Sequence, residues 1–259
     1  MKPLLRGKKL FLFDLDGVFY KGKESRVKIG GTRAILALRE RGLKLFVLTN
    51  NSTDSTATVH SRLAEFGIPV RREEVLTSGL LTAEYLLERH GRITYFLVGE
   101  EGLEAEMTRC GHRRTTGEAA DFVVVGLDRR VTYDKLDKAA RLARNGAAIV
   151  ATHISRLYMY RTGPAMATGP LVRAIEYASQ KRAVVVGKPS RLMFSIALRR
   201  AGCGPGDAVM IGDQADTDIL GAARSGIDAV LVTSGIDQEA PGLKLLARLS
   251  NVDEIEKLL

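Results

Sequence analysis

Short apolar runs alternate with stretches of helical spacing along almost all of the 259 residues. KLFLF (9–13), LKLFVLT (43–49), RAVVVG (182–187), DAVMIG (207–212) and DAVLVT (228–233) lack the alternating polarity of a sheet with one wet face. Such strands are buried on both sides, which predicts a parallel sheet sandwiched between helices. The helices lie between them. TRAILALRERG (32–42) has helical spacing and stops on a glycine. STATVHSRLAEFG (55–67) does the same behind a cap at Asp54 or Ser55, and SRLMFSIALRRAG (190–202) and DILGAARSG (218–226) continue the series. The middle of the chain repeats this grammar with strands ITYFLVG (93–99), DFVVVGL (121–127) and AAIVAT (147–152), and with helices near 101–110, 133–145 and 169–179. The expected architecture is α/β: a parallel-sheet core of residues 1–82 and 183–259, interrupted by a second α/β domain at 83–182.

Composition narrows the classes of function. The formal net charge is +9, a field that attracts anions. Lys and Arg are mixed with Glu and Asp, Trp is absent and aromatics are only 6%, so no basic groove with stacking platforms is visible and nucleic acid is a poor fit. No apolar run approaches the ~20 residues that span a bilayer. MKPLLRGKKLFLFDLDG begins with positive charge, but its apolar stretch is short, ends in acid and lacks a small-residue cleavage site, so it reads as the first strand of a cytoplasmic protein. Cys110 and Cys203 have no metal spacing and suit a reducing compartment. His60, His90, His112 and His153 form no ligand pair and read as surface or packing residues. GCGPG (202–206) reads as a helix stop and turn.

The chemistry gathers where core strands end. The first strand gives Asp14 and Asp16, the second Thr49, Asn50 and Asn51, the third Lys188 and the fourth Asp213. Ligands bind beyond the carboxyl ends of strands in an open parallel sheet, so these clusters are expected on one rim. Carboxylates crowded there raise each other's pKa unless a cation neutralises them, and an all-oxygen set suits Mg²⁺. Lys188, on a turn fixed by Pro189, adds charge, Thr49 adds a hydroxyl, and Asn50 and Asn51 precede a helix start whose N–H groups would face an anion. The set describes a pocket for a phosphoryl group. In it Asp14 is the natural nucleophile and Asp16 the paired acid and base, with Lys188 and Mg²⁺ stabilising transition-state charge.

DLDGV, LTNN, GKPS and GDQADTD, in that order, resemble the four motifs of the haloacid dehalogenase-like phosphatase superfamily. LTNNST and VVVGLDRRVTYDKLDKA (123–139) are similar to its class II branch with an α/β cap, which includes NagD-like, p-nitrophenyl phosphatase and phosphoglycolate phosphatase proteins. The resemblance implies a Rossmann-like core with an inserted α/β cap and a Mg²⁺-dependent phosphatase acting on small phosphomonoesters through an aspartyl phosphate. It makes Asp14 the nucleophile and a metal ligand. Asp16 becomes the acid and base and gives its backbone carbonyl to the metal. Thr49 and the Asn50 backbone bind phosphate, Lys188 pairs with phosphate and Asp14, Asp213 ligates the metal and Asp218 supports it. A homodimer through the cap is also implied. The chain departs from the branch at HISRLYMYRTGPAMATG (153–169), which lacks an Asn-Pro-Asp-like stretch. There Arg156, Tyr158, Tyr160 and Arg161 could meet a polar substrate or form a solvated strand with an aromatic face. Two other readings stay open: a phospho-acceptor domain in which Asp14 is phosphorylated but slowly hydrolysed, and a nucleic-acid-binding regulator using the basic surface.

Overall fold

The computed structural model describes residues 4–22, 27–160 and 163–259. Its first half runs β1 (Leu10–Phe13), α1 (Thr32–Glu40), β2 (Lys44–Thr49), α2 (Thr56–Glu65), β3 (Val75–Thr77), α3 (Ser78–His90), β4 (Thr94–Val98), α4 (Glu101–Arg109), β5 (Arg113–Arg114) and β6 (Phe122–Val125). It continues with α5 (Tyr133–Arg144), β7 (Ala148–Ala151), β8 (Leu157–Tyr160), β9 (Gly163–Met166), α6 (Thr168–Ser179), β10 (Ala183–Val185), α7 (Arg191–Ala201), β11 (Ala208–Gly212), α8 (Leu220–Arg224), β12 (Asp228–Val232) and β13 (Ala247–Leu249).

The first sheet has the order β13-β12-β11-β1-β2-β3, with every pair parallel. The chain builds outward from β1 through β2 and β3, then returns to β1's other side with β11. That reversal opens the crevice in which such sheets bind ligands. The second sheet, also parallel, runs β10-β7-β6-β4-β5 and forms the inserted cap, with β8 and β9 as a separate antiparallel hairpin.

Burial explains the apolar runs. Leu10 and Leu12 of β1 face one cluster, with Leu48, Met210 and Phe194, while Phe11 and Phe13 face another, with Ile35, Leu38, Val47 and Ile211. Both faces of the strand are dry, so alternation has no function there. The first cluster continues through Leu81 and Leu86 of α3 and Leu103 and Met107 of α4 to Tyr95, Leu97 and Val124 of the cap sheet. The outer face of the cap sheet packs Phe96, Val98 and Val123 against α5 and α6. Among the described residues, no helix is long and apolar enough to cross a membrane.

Three elements differ from the sequence expectation. The strand expected in the core at 182–187 is β10, which pairs with β7 at the edge of the cap sheet (Val184 opposite Val150). Ala183 and Val185 pack inward while Val184 is 43% exposed, so β10 is a one-faced edge strand and not a doubly buried one. Helix α3 has no counterpart in the sequence pattern. Residues 78–83 are all buried between the two sheets, and a helix covered all round shows no amphipathic stripe. The helix expected at 218–226 begins as a π-helical turn, Ala215–Ile219, before α8.

Candidate active site

The reversal point brings the ends of β1 and β11 side by side. Asp14 follows β1 and its N–H donates to the Ile211 carbonyl at 2.8 Å, which fixes it beside β11. Asp213 follows β11 directly. Both are buried, as is Asp218 from the π-helical turn, and one carboxylate oxygen from each of the three lies within 4.8 Å of the others. Lys188, 2% exposed, reaches this group from the segment between β10 and α7. Its Nζ donates to Asp14 Oδ1 at 2.5 Å and to the Leu48 carbonyl at 2.9 Å, and it pairs with Asp218 Oδ1 at 2.7 Å. Two ammonium protons thus have hydrogen-bond partners inside the protein, and the contact with Asp218 is an ion pair.

One ammonium does not balance these acids. Burial first, then the Asp14 and Asp218 charges, push Asp213 up to about 9. Burial and Asp14 push Asp218 up to about 7, against the pull of Lys188. Burial and Asp14 also push Asp16 up to about 7, with Arg62 and Lys188 opposing. Burial alone would lower Lys188, but Asp14 and Asp218 outweigh it and hold the ammonium above the ordinary lysine range.

The oxygen set fits a hard divalent cation. Asp16 Oδ1, Asp213 Oδ1 and Asp218 Oδ1 are buried without a hydrogen-bond partner, the last of them held only by its ion pair with Lys188. The space around Asp213 is also kept open: a Cβ at Gly17 would lie 2.2 Å, and at Gly235 1.9 Å, from Asp213 Oδ2. Gly17 in addition has φ +80°, a conformation that favours glycine.

The end of β2 completes the floor. Thr49 is buried, and its Oγ1 accepts the Asn51 N–H at 3.0 Å, leaving its own O–H to donate elsewhere. Ser78 Oγ, at the start of α3, donates to the Asn50 carbonyl at 2.9 Å and turns it from the site. The helix start expected to face an anion is already occupied. Thr56 N–H donates to Glu106 of α4 at 2.7 Å and Thr58 N–H to Ser55 Oγ at 3.2 Å, so the α2 terminus is closed by a cap carboxylate and its own N-cap. Any phosphate must therefore meet the 49–51 loop itself.

Asp14, Asp16, Thr49, Asn50, Lys188 and Asp213 all line one cleft of about 600 Å³ between core and cap. Of the four cap residues singled out from sequence, Tyr158 lines it, whereas Arg156 and Tyr160 do not. Tyr160 instead meets the Tyr158 ring edge-on at 6.0 Å, and Arg161 lies outside the described residues.

Several contributors are not among the site residues expected from the sequence. Arg129 lines the cleft from the cap, gripped by buried Glu100 through Nε–Oε1 at 2.8 Å and a second bond at 2.6 Å. His153, expected from the sequence to be a surface or packing residue, is buried and also lines it. Its Nδ1 accepts the Ser155 N–H at 3.3 Å, so Nε2 carries the proton that it donates to Thr168 Oγ1 at 2.9 Å. Burial, with the Lys188 charge, pushes this ring down to about 4 and keeps it neutral. The segment 234–237 is a further contributor that the motifs do not include. Ser234 Oγ donates to the Gly17 carbonyl at 2.7 Å, Ile236 N–H to Asp213 Oδ2 at 2.8 Å and Asp237 N–H to the Asp213 carbonyl at 3.0 Å. Its only advance signal is a glycine just past a strand.

A haloacid dehalogenase-like hydrolase family model matches residues 11–113, and an HAD-hydrolase-like model matches 185–252. The chain is 33% identical to an acid sugar phosphatase of Staphylococcus epidermidis over 226 residues, 87% of this chain and 86% of that protein. It is 31% identical to the 5'-nucleotidase YutF of Bacillus subtilis over 87% of each. The solved 4-nitrophenylphosphatase of Thermotoga maritima superimposes with a TM-score of 0.90 at 30% identity, covering 98% of both chains.

Proposed function

This chain belongs to the haloacid dehalogenase-like hydrolases and is a phosphatase, and from that premise we propose that it hydrolyses small phosphomonoesters with Mg²⁺ through an aspartyl phosphate on Asp14. One observation carries the reading: Asp213 from the end of β11, Asp218 from the π-helical turn and Lys188 from the segment after β10 converge on Asp14, with Lys188 Nζ 2.5 Å from its Oδ1. A carboxylate oxygen of Asp14 attacks phosphorus, the ester P–O bond breaks, and the Asp16 carboxyl protonates the departing alkoxide. Asp16, now a carboxylate, takes a proton from water. The resulting hydroxide adds to phosphorus, the bond to Asp14 breaks, and inorganic phosphate leaves.

Lys188 holds Asp14 in place and lends positive charge to the phosphoryl oxygens. The Thr49 hydroxyl and the Asn50 backbone N–H bind those oxygens. Asp14, Asp213 and the Asp16 carbonyl would hold Mg²⁺, with Asp218 steadying Lys188 beside them. Bound there, the ion supplies positive charge to the transferring phosphoryl group. The inserted domain, expected at 83–182 but with its sheet running on to β10 (Ala183–Val185), is read as the cap that meets the leaving group with Leu127, Arg129 and Tyr158. The free cysteines suit a cytoplasmic setting, and a cap-mediated homodimer is part of the same reading, checked by light scattering on the eluting protein.

Asp14→Asn tests the chemistry. It should fold as the wild type does and lose all turnover of an aryl phosphate. Chelator should silence the wild type and Mg²⁺ restore it. Normal turnover by the Asn variant sinks the proposal, and a phospho-Asp14 that persists for minutes would favour the phospho-acceptor reading instead.

A further inference from the structure

We propose that the side chain of Asn50 is a positioning residue for Lys188, a role that rests on the phosphatase reading and adds to the backbone contact already given to Asn50. Asn50 Oδ1 accepts the Lys188 N–H at 2.9 Å, and Asn50 Nδ2 donates to the Lys188 carbonyl at 3.0 Å. The two bonds fix the amide's orientation, since the flipped group would set donor against donor and acceptor against acceptor. One side chain thus plays the part of a neighbouring strand for one residue.

The need for it follows from topology. Lys188 does not leave a strand of the first sheet. It follows β10, at the edge of the cap sheet, and crosses toward α7. A buried residue in such a crossing has no ladder to satisfy its backbone N–H and carbonyl, and both must be paired. Asn50, at the end of β2, pairs both. The approach is close enough to require Gly187: a Cβ there would lie 2.4 Å from the Thr152 carbonyl oxygen and 2.5 Å from Asn50 Oδ1. Asn50 is itself fixed by Ser78 Oγ on its carbonyl at 2.9 Å. Lys188 is therefore held at both ends, its ammonium by Asp14, Asp218 and the Leu48 carbonyl, its backbone by Asn50. Without the amide the Lys188 peptide loses both its bonds and is steadied only by its neighbours, Gly187 N–H on the Thr152 carbonyl at 2.7 Å and Ser190 N–H on the Gly187 carbonyl at 3.0 Å, so the ammonium can shift.

A double-mutant cycle separates this role from phosphate binding and from general support of the fold. N50A, K188M and the pair are assayed with p-nitrophenyl phosphate at saturating Mg²⁺, with enzyme in excess for slow variants and thermal midpoints recorded alongside. Displacement of a catalytic group by about 1 Å lowers turnover by up to about 100-fold, so N50A should lose about 10- to 100-fold in kcat while KM moves less than about threefold. The pair should fall within about twofold of K188M alone, because the amide has nothing left to position. N50D, which keeps the acceptor for the Lys188 N–H but cannot donate to its carbonyl, should behave alike and stands in if N50A does not fold. Losses that multiply, a KM effect with unchanged kcat, or N50A within twofold of wild type each overturn the proposal. A wild-type chain without turnover takes down the phosphatase reading and this inference together, whereas an active wild type with multiplying losses overturns the inference alone.

Discussion

Gly235→Ala is the smallest change that should disable the acidic cluster without touching a carboxylate. Gly235 has no positive φ, so alanine is not excluded by backbone strain. Its new Cβ, however, would sit 1.9 Å from Asp213 Oδ2 and 2.4 Å from its Cγ. Ordinary contact needs roughly 3.5 Å, so one side must retreat by about 1.5 Å. The loop resists, because Ser234 is tied to the Gly17 carbonyl, and Asp237 Oδ2 accepts the Ala215 N–H at 2.7 Å. The Asp213 carboxylate has one fixed donor, Ile236 N–H at 2.8 Å, and a rotation away from the new methyl breaks it. Such overpacking costs about 1–3 kcal/mol of stability. Misplacing a ligand group by more than 1 Å should lower kcat/KM by about 100-fold. The assay is an initial-rate titration with Mg²⁺, paired with calorimetric metal binding. Gly206→Ala, where a Cβ meets nothing within 4 Å, is the control and should match the wild type. A Gly235→Ala protein with wild-type turnover and an unchanged metal titration would refute the claim that this loop orients Asp213.

Metal should also register as stability: at 100 times its dissociation constant, Mg²⁺ adds about 2.7 kcal/mol, an upward shift of roughly 5–10 °C that Asp213→Asn should abolish in a thermal melt. His153 sets an acid limit. The unfolded ring takes its proton near 6.5 and the buried ring only near 4, so its contribution is complete above pH 6.5 and is lost as pH falls toward 4. The loss is on the order of 3 kcal/mol, and denaturant unfolding at stepped pH should show a shallower decline in His153→Gln; an identical decline in both proteins contradicts the assignment. Glu106→Ala uncaps Thr56 and should lower stability by about 1–2 kcal/mol in the same unfolding assay while sparing the Mg²⁺ increment.

Side chains are easier to foresee than the atoms that hold them. Asp14, Asp16, Thr49, Asn50, Lys188 and Asp213 can be read from the chain because a polar residue at the end of a buried strand is conspicuous. Strands β1, β2, β11 and β12 are plain for the related reason that two dry faces leave an unbroken apolar run. Strand β10 falls to the wrong sheet in a sequence reading because three consecutive residues cannot distinguish one buried face from two. Helix α3 is invisible because its first half is enclosed on every side. The segment 234–237 works mainly through the N–H groups of Ile236 and Asp237, and backbone donors are present at every residue, so nothing in the letters marks them. Arg129 and His153 reach the cleft only because the cap folds back over the core.

The same division explains why the site needs so much support. Asp14, Asp16, Asp213 and Asp218 share one rim, and like charges at such range raise each other's pKa. The fold answers with Lys188, with Arg62 near Asp16, and with two backbone donors, Ile236 N–H on Asp213 and Gln214 N–H on Asp218. These are not enough, since Asp16, Asp213 and Asp218 all remain well above the usual carboxylate range. A core built for stability alone would replace the acids with apolar groups. Retaining four of them around a single ammonium, with Gly17 and Gly235 keeping the space beside Asp213 clear, leaves a deficit of positive charge in a place shaped to receive it. Lys188 cannot move to meet that deficit, because its ammonium is held by Asp14, the Leu48 carbonyl and Asp218, and both its backbone groups are bonded. On the reading proposed above, a small hard cation supplies the missing charge, and an oxygen-lined pocket suits it.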